Sequence, residues 1–153
     1  MTHIRMSGHY DAPIDRVFEL ATDFRRYPEW NVSYIEVKDV AGPPRQVGTK
    51  ITSSMRVLGR VSDGTGEVFE IDPPRLLKMG GTRPDGAKLF STYRFTPKDS
   101  GTDWEFEIEY ELPAGIVGQI ADKLFVERAV ERDVRHSIEN FTALVEAKQP
   151  VLA

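Results

Sequence analysis

The chain has 153 residues, 40% apolar and 29% charged, with 20 basic against 24 acidic side chains and no cysteine. That length suits one domain over 1–153 with a sizeable core, and the missing cysteines exclude a disulfide framework, thiolate metal sites and cysteine nucleophiles. A net charge of −4 argues against the concentrated basic face of a nucleic-acid binder, no apolar run approaches the ~20 residues of a membrane span, and Met1 to His9 holds no apolar signal-peptide core, so a cytoplasmic protein is expected.

The first strand is expected over Ile4–Tyr10, where apolar and polar residues alternate. Pro13 then suits the first turn of a helix, and Val17, Phe18, Leu20 and Ala21 give that helix a short apolar stripe. Asp23 is placed to cap a second short helix, which Pro28 is expected to close. From Val32 to Leu112 the pattern is strand and turn, with strands over Val32–Val40, Thr49–Leu58, Val61–Ile71, Arg75–Gly80, Lys88–Thr96 and Thr102–Leu112. The short Gly- or Pro-bearing connections suit antiparallel hairpins and cannot carry parallel crossovers. Asp63-Gly64-Thr65-Gly66 lacks the lysine and helix of a phosphate loop and reads as a bulge within a strand.

The last strand has the clearest pattern. Trp104, Phe106, Ile108, Tyr110 and Leu112 share one face, and Asp103, Glu105, Glu107, Glu109 and Glu111 the other. One face is therefore packed and the other wet, with Lys88 and Arg94 available across the strand as partners for the acidic ladder. Leu89, Ser91, Tyr93 and Phe95 share the inward parity of the strand before it.

Beyond Pro113 and Gly115 the next proline is Pro150, so one helix is expected over about residues 116–148, ~50 Å long at 1.5 Å per residue. On a wheel of 100° per residue centred at Ile138, the residues Ile116, Ile120, Leu124, Val134, Phe141 and Val145 fall within about 60° of the centre. A long amphipathic helix on a curved antiparallel sheet makes an α+β fold. Glu127 and Glu131 fall inside the apolar stripe, where two like charges in a dry core cost several kcal/mol or take up a proton. Two readings stand. Either the pair is neutralised by arginines or turned outward by a kink, or it faces a hollow that holds water, a cation or a ligand.

The segments Tyr10-Asp11-Ala12-Pro13-Ile14-Asp15-Arg16-Val17-Phe18-Glu19-Leu20 and Asp23-Phe24-Arg25-Arg26-Tyr27-Pro28-Glu29-Trp30-Asn31 together resemble the opening of the polyketide cyclase/dehydrase family of the START-like (Bet v 1-like, SRPBCC) superfamily. Gln46-Val47-Gly48-Thr49, Glu70-Ile71-Asp72-Pro73-Pro74-Arg75-Leu76, Thr92-Tyr93-Arg94-Phe95-Thr96-Pro97, Gly101-Thr102 and Glu109-Tyr110-Glu111-Leu112-Pro113 follow in the same order. The resemblance implies a helix-grip fold: a bent antiparallel sheet wrapped around a long C-terminal helix, two short helices after the first strand, and an internal cavity for a hydrophobic molecule. It carries no shared catalytic motif that transfers residue by residue.

The chemistry-bearing side chains are few. His3, His9 and His136 show no metal-ligand spacing, and no metal or cofactor is expected. The ligand-binding candidates are Tyr27, Trp30, Tyr93, Phe95, Phe106, Ile120, Leu124, Glu127 and Glu131. Among them Trp30 is read as an entrance residue or a core plug, and the Tyr93 hydroxyl as a partner of a ligand carbonyl or of backbone. Three functions stay open. The first is binding of a lipid-like, polycyclic or polyketide molecule. The second is a cyclase/dehydrase-type enzyme in which Glu127 or Glu131 removes a proton and Tyr93 steadies the enolate. The third is a protein-interaction module that works through the acidic ladder. The oligomeric state is not legible.

Overall fold

Seven antiparallel strands form a single sheet in the order β1-β7-β6-β5-β4-β3-β2 in the computed structural model, which describes residues 1–113 and 123–147. The strands are β1 (Thr2–Tyr10), β2 (Tyr34–Ala41), β3 (Lys50–Val57), β4 (Arg60–Asp72), β5 (Leu76–Thr82), β6 (Lys88–Lys98) and β7 (Gly101–Glu111). From β2 to β7 each strand pairs with its sequence neighbour, as the short connections require. Between β3 and β4 the turn is two residues, Leu58 and Gly59, both at positive φ (52° and 78°), between the paired Val57 and Arg60. Two central residues of that hand match the twist of the flanking strands.

β1 and β2 sit at opposite edges, so the chain between them crosses the open side of the sheet. That crossing is made by α1 (Ile14–Thr22), a 3₁₀ turn (Phe24–Arg26) and α2 (Tyr27–Trp30). Pro28 opens α2 rather than closing the segment. A proline has no N–H to lose in a first turn, where that group is unpaired in any case. The sequence Asp63–Gly66 carries no bulge either: Ser54↔Asp63, Ser53↔Gly64, Thr52↔Thr65 and Ile51↔Gly66 pair without a break, and the irregularity in β4 falls between Val68 and Glu70.

The C-terminal helix, α3, is described over Lys123–Val145. The expected start near residue 116, with Ile116 and Ile120, lies outside the described residues, as does the expected end at 148. The buried positions of α3 are Val126, Val130, Val134, Ser137, Phe141 and Val145. Their mean direction lies roughly 70° around the helix from Ile138 at 100° per residue. The stripe that packs is thus rotated from the one centred on Ile138, a correction with consequences for the site.

Two groups of buried side chains fill the space between sheet and helices. One holds Val17, Phe18 and Leu20 of α1 with Tyr27, Trp30, Leu77, Phe95, Trp104 and Phe141; the other holds Ile4, Ile108, Tyr110, Val126, Val130 and Val134. Met6, Phe106 and Ile138 touch both groups. The core is divided, and the hollow lies along the division.

Candidate functional site: a cavity between sheet and C-terminal helix

A cavity of about 140 Å³ opens between the inner face of the sheet and α3. A water needs only ~10–15 Å³ by this kind of measure, so the space exceeds a few ordered waters. Its wall draws on both halves of the core, with Trp30, Phe95 and Trp104 from one and Ile108, Val130 and Val134 from the other. The inward parity of β6 and β7 puts Leu89, Ser91, Tyr93, Phe95, Phe106 and Tyr110 on this wall. Toward the surface the lining becomes charged, with Arg60, Asp85, Lys88 and Glu111 exposed at the mouth. Lys88 and Glu111 pair across β6 and β7 at 3.7 Å.

The floor is aromatic. Tyr27 is 1% exposed and its Oη donates to the Ala21 carbonyl at 2.5 Å, with Met79 Sδ at 3.5 Å. Its ring meets Trp30 at 4.8 Å and Tyr34 at 5.2 Å, both edge-on. Burial raises the Tyr27 phenol well above its ordinary value, and the Tyr93 hydroxyl beside it adds to the rise. Burial also raises Tyr93, and pushes Tyr34 up to about 12 against the pull of Arg83. All three phenols are neutral near pH 7 and offer hydroxyls rather than phenolates. Trp30 packs against Phe141 at 5.0 Å, is 4% exposed, and its Nε1–H has no partner among the described residues.

Arg83 is a half-buried cation of the cavity lining. It opens the loop after β5, whose backbone is closed by Arg83 N–H to Ala87 O at 2.7 Å and Gly86 N–H to Arg83 O at 2.9 Å. Its Nε donates to Ser62 Oγ at 2.9 Å, Nη2 to Ser62 O at 2.6 Å and to Ser53 O at 3.1 Å, and Nη1 to Met55 Sδ at 3.3 Å. The guanidinium lies over Gly64, where a Cβ would stand 3.0 Å from Cζ. Desolvation lowers its pKa, which leaves it a cation.

Of the residues singled out from the sequence, Tyr27, Trp30, Tyr93, Phe95 and Phe106 all line the cavity. Ile120 lies outside the described residues. Leu124 is 54% exposed, Glu131 is exposed, and Glu127 is half-buried and 3.9 Å from Lys123 on the helix surface. None of the three lines the cavity. Glu131 stands about 90° from the centre of the rotated stripe, and Glu127, about 50° away, lies ahead of Val130, the first described α3 residue on the cavity wall. Among the described residues of α3, the acidic one that lines the cavity is Asp133, 35% exposed with its carboxylate 3.8 Å from Arg132 Nε.

Sequence reasoning missed Arg83, Tyr34 and Asp133. For Arg83 the pattern was available, because it shares the parity of the buried Met79 and Leu77 further back along β5. The expected strand ended at Gly80, three residues short of Arg83.

The acidic ladder of β7 is paired from the edge strand. The register sets His3 opposite Glu109 and Arg5 opposite Glu107. His3 Nδ1 lies 3.3 Å from Glu107 and 3.5 Å from Glu109, Arg5 Nη2 lies 3.4 Å from Glu107, and His9 Nδ1 lies 2.7 Å from Asp103. The hydrogen bond from His3, with Arg5 beside it, holds Glu107 below the usual carboxylate range. Arg94 faces Glu105 in register. Among the described residues no helix is long and apolar enough to cross a membrane.

A curved antiparallel sheet, two short helices after the first strand and a long C-terminal helix over an internal cavity define a START-like, Bet v 1-like protein. A family model described as "Polyketide cyclase / dehydrase and lipid transport" matches residues 1–146, and the chain belongs to that family. A protein named as a toxin in Mycobacterium tuberculosis is 25% identical over 142 residues, covering 92% of this chain and 96% of that one. Among solved structures, a protein of Thermus thermophilus superposes with a TM-score of 0.76 at 22% identity, over 94% of this chain and 97% of that chain. The ZhuI aromatase/cyclase from Streptomyces sp. R1128 superposes with a TM-score of 0.75 at 20% identity, over 95% and 93%. The START superfamily protein of Mycobacterium smegmatis gives 0.70 at 13%, over 94% and 97%.

Proposed function

We propose that this protein binds a hydrophobic small molecule, lipid-like or polycyclic, in the cavity between its sheet and its C-terminal helix. The observation that carries the reading is the divided core: apolar side chains from both halves face a space of about 140 Å³ that no described side chain fills. Unfilled apolar volume costs stability, because the lining atoms lose their contacts. A bound apolar molecule restores those contacts, and a few fixed polar groups orient it. Tyr34, Tyr93 and Arg83 are such groups here. Native mass spectrometry of freshly purified protein tests the proposal, with titration of the neutral fluorophore N-phenyl-1-naphthylamine as a second readout. A retained small molecule or saturable fluorophore binding supports it. Absence of both would end it.

The second reading is an enzyme of the cyclase/dehydrase type, supported by the family description and by the ZhuI aromatase/cyclase among proteins of this fold. In it the cavity holds a polyketone in one conformation, so that much of the rate comes from positioning. Asp133, on the wall where Glu127 and Glu131 are absent, accepts the proton next to a carbonyl, and a phenol hydroxyl donates to the enolate oxygen. Asp133→Asn slows cyclisation of a poly-β-ketone while leaving its binding in place if this reading holds. Equal turnover by the variant and the parent would exclude it.

A further inference from the structure

We infer that the cavity's ligand is an amphipathic organic acid, whose ionised carboxylate seats at Arg83 while its apolar body lies against Trp30, Phe106, Ile108 and Val134. This rests on the cavity-binding proposal and adds the chemical class of the ligand.

The unmatched charge comes first. A cation withdrawn from water is costly unless an anion or a full set of acceptors replaces its hydration. All four partners of the Arg83 guanidinium are neutral: two backbone carbonyls, a serine hydroxyl and a thioether. Guanidinium has five N–H donors. At Nη1 one hydrogen meets only the weak acceptor Met55 Sδ, and the other meets no acceptor among the described residues. Asp63 and Asp85 act on the guanidinium through space, but neither is hydrogen-bonded to it. Asp63 binds Lys38 at 2.8 Å and the Ser54 hydroxyl, and Asp85 Oδ1 accepts from Ala87 N–H at 3.0 Å.

The position is also built. The Arg83–Ala87 loop is closed by its own backbone bonds, and the guanidinium rests in a slot that exists because residue 64 has no side chain. A surface arginine needs neither. Trp30 lines the same cavity with its Nε1–H buried and unpartnered among the described residues, and Tyr34 beside Arg83 is held neutral as a hydroxyl. Arg83 Nη1 thus presents a donor without an oxygen acceptor. Such a wall suits a ligand that brings acceptor oxygens, and a cation among donors suits one that brings them charged.

Fatty and aromatic acids share this chemistry, and the test separates them. The probe is N-phenyl-1-naphthylamine in the cavity, displaced at pH 8 by decanoate or 1-decanol and by 2-naphthoate or 2-naphthol. In an apolar cavity without a cationic seat the alcohols displace better, because a carboxylate loses hydration on entry. With the seat, at least one acid displaces at a concentration about tenfold or more below its alcohol, and the better acid identifies the body. That advantage shrinks at high salt, disappears in Arg83→Met and is partly kept in Arg83→Lys. Circular dichroism and melting of both variants report folding, and the wild-type comparison stands whether or not they fold. Alcohols matching or beating both acids in the wild type would overturn the inference while leaving the cavity proposal intact. An acid advantage unchanged in a folded Arg83→Met would overturn the assignment to Arg83. Failure of the fluorophore to bind at all would remove the cavity proposal and this inference with it.

Discussion

Replacing Gly64 with alanine tests whether Arg83 is held where the cavity needs it. Gly64 lies in β4 opposite Ser53, and a Cβ there would stand 3.0 Å from Cζ, 3.2 Å from Nη1 and 3.3 Å from Nε of Arg83. The guanidinium must move a few tenths of an ångström, yet it is fixed by bonds of 2.6 Å to Ser62 O and 2.9 Å to Ser62 Oγ. Hydrogen bonds to charged groups contribute about 1.5–3 kcal/mol each when buried. Arg83 is half-buried, so water replaces part of that and a net loss of about 1–2 kcal/mol is expected. Restricting the unfolded chain returns about 0.4–1 kcal/mol. The variant should therefore lose up to about 1.6 kcal/mol in urea unfolding, with Tm falling about 2–4 °C per kcal/mol. The same change made in an Arg83→Ala background should stabilise by about 0.4–1 kcal/mol, since only the unfolded-state term is left. An equal loss in both backgrounds would refute the reasoning.

Tyr27→Phe removes the donor to the Ala21 carbonyl in a fully packed site, and should cost about 1–3 kcal/mol in chemical denaturation; a neutral result would mean the carbonyl finds another partner. His9 is hydrogen-bonded to Asp103, which raises its pKa above 6.5, so its stabilising contribution is full below that value and is lost as pH rises through the raised pKa. An NMR titration should give a His9 midpoint above 6.5, and Asp103→Asn should bring it down; a wild-type midpoint at or below 6.5 contradicts the contact. Glu127→Gln with Glu131→Gln should change stability by no more than about 0.5 kcal/mol and leave fluorophore affinity as it was, because both side chains lie off the cavity wall. A several-fold loss of affinity would put those carboxylates at the ligand.

Much of the fold was legible because it rests on local rules. Period-two alternation in β6 and β7 named the inward residues correctly from Leu89 to Tyr110, and the hairpin turns announced the meander from β2 to β7. Pairing of β1 with β7 was less legible, since it joins residues about a hundred positions apart. The acidic ladder finds Lys88 opposite Glu111 and Arg94 opposite Glu105, as local pattern suggests, but also His3, Arg5 and His9 of β1, which local pattern does not reach.

The sequence by itself determined the strand faces, the long amphipathic helix and the aromatic floor of the site, Tyr27, Trp30, Tyr93, Phe95 and Phe106. The faces of Tyr93, Phe95 and Phe106 are a matter of spacing along a strand, which is written in the chain, while Tyr27 and Trp30 were placed by the family resemblance of their segment. Only the tertiary structure decided how α3 is rotated and which of its turns cover the cavity, which leaves Glu127 and Glu131 off the wall and Asp133 on it. A helix with apolar residues over a wide arc is free to settle at several rotations, and what it packs against selects one. Arg83 was decided in the same way: it enters the cavity because β3 and β4 offer it two carbonyls, a hydroxyl and the slot over Gly64. No one of those neighbours is adjacent to it in sequence.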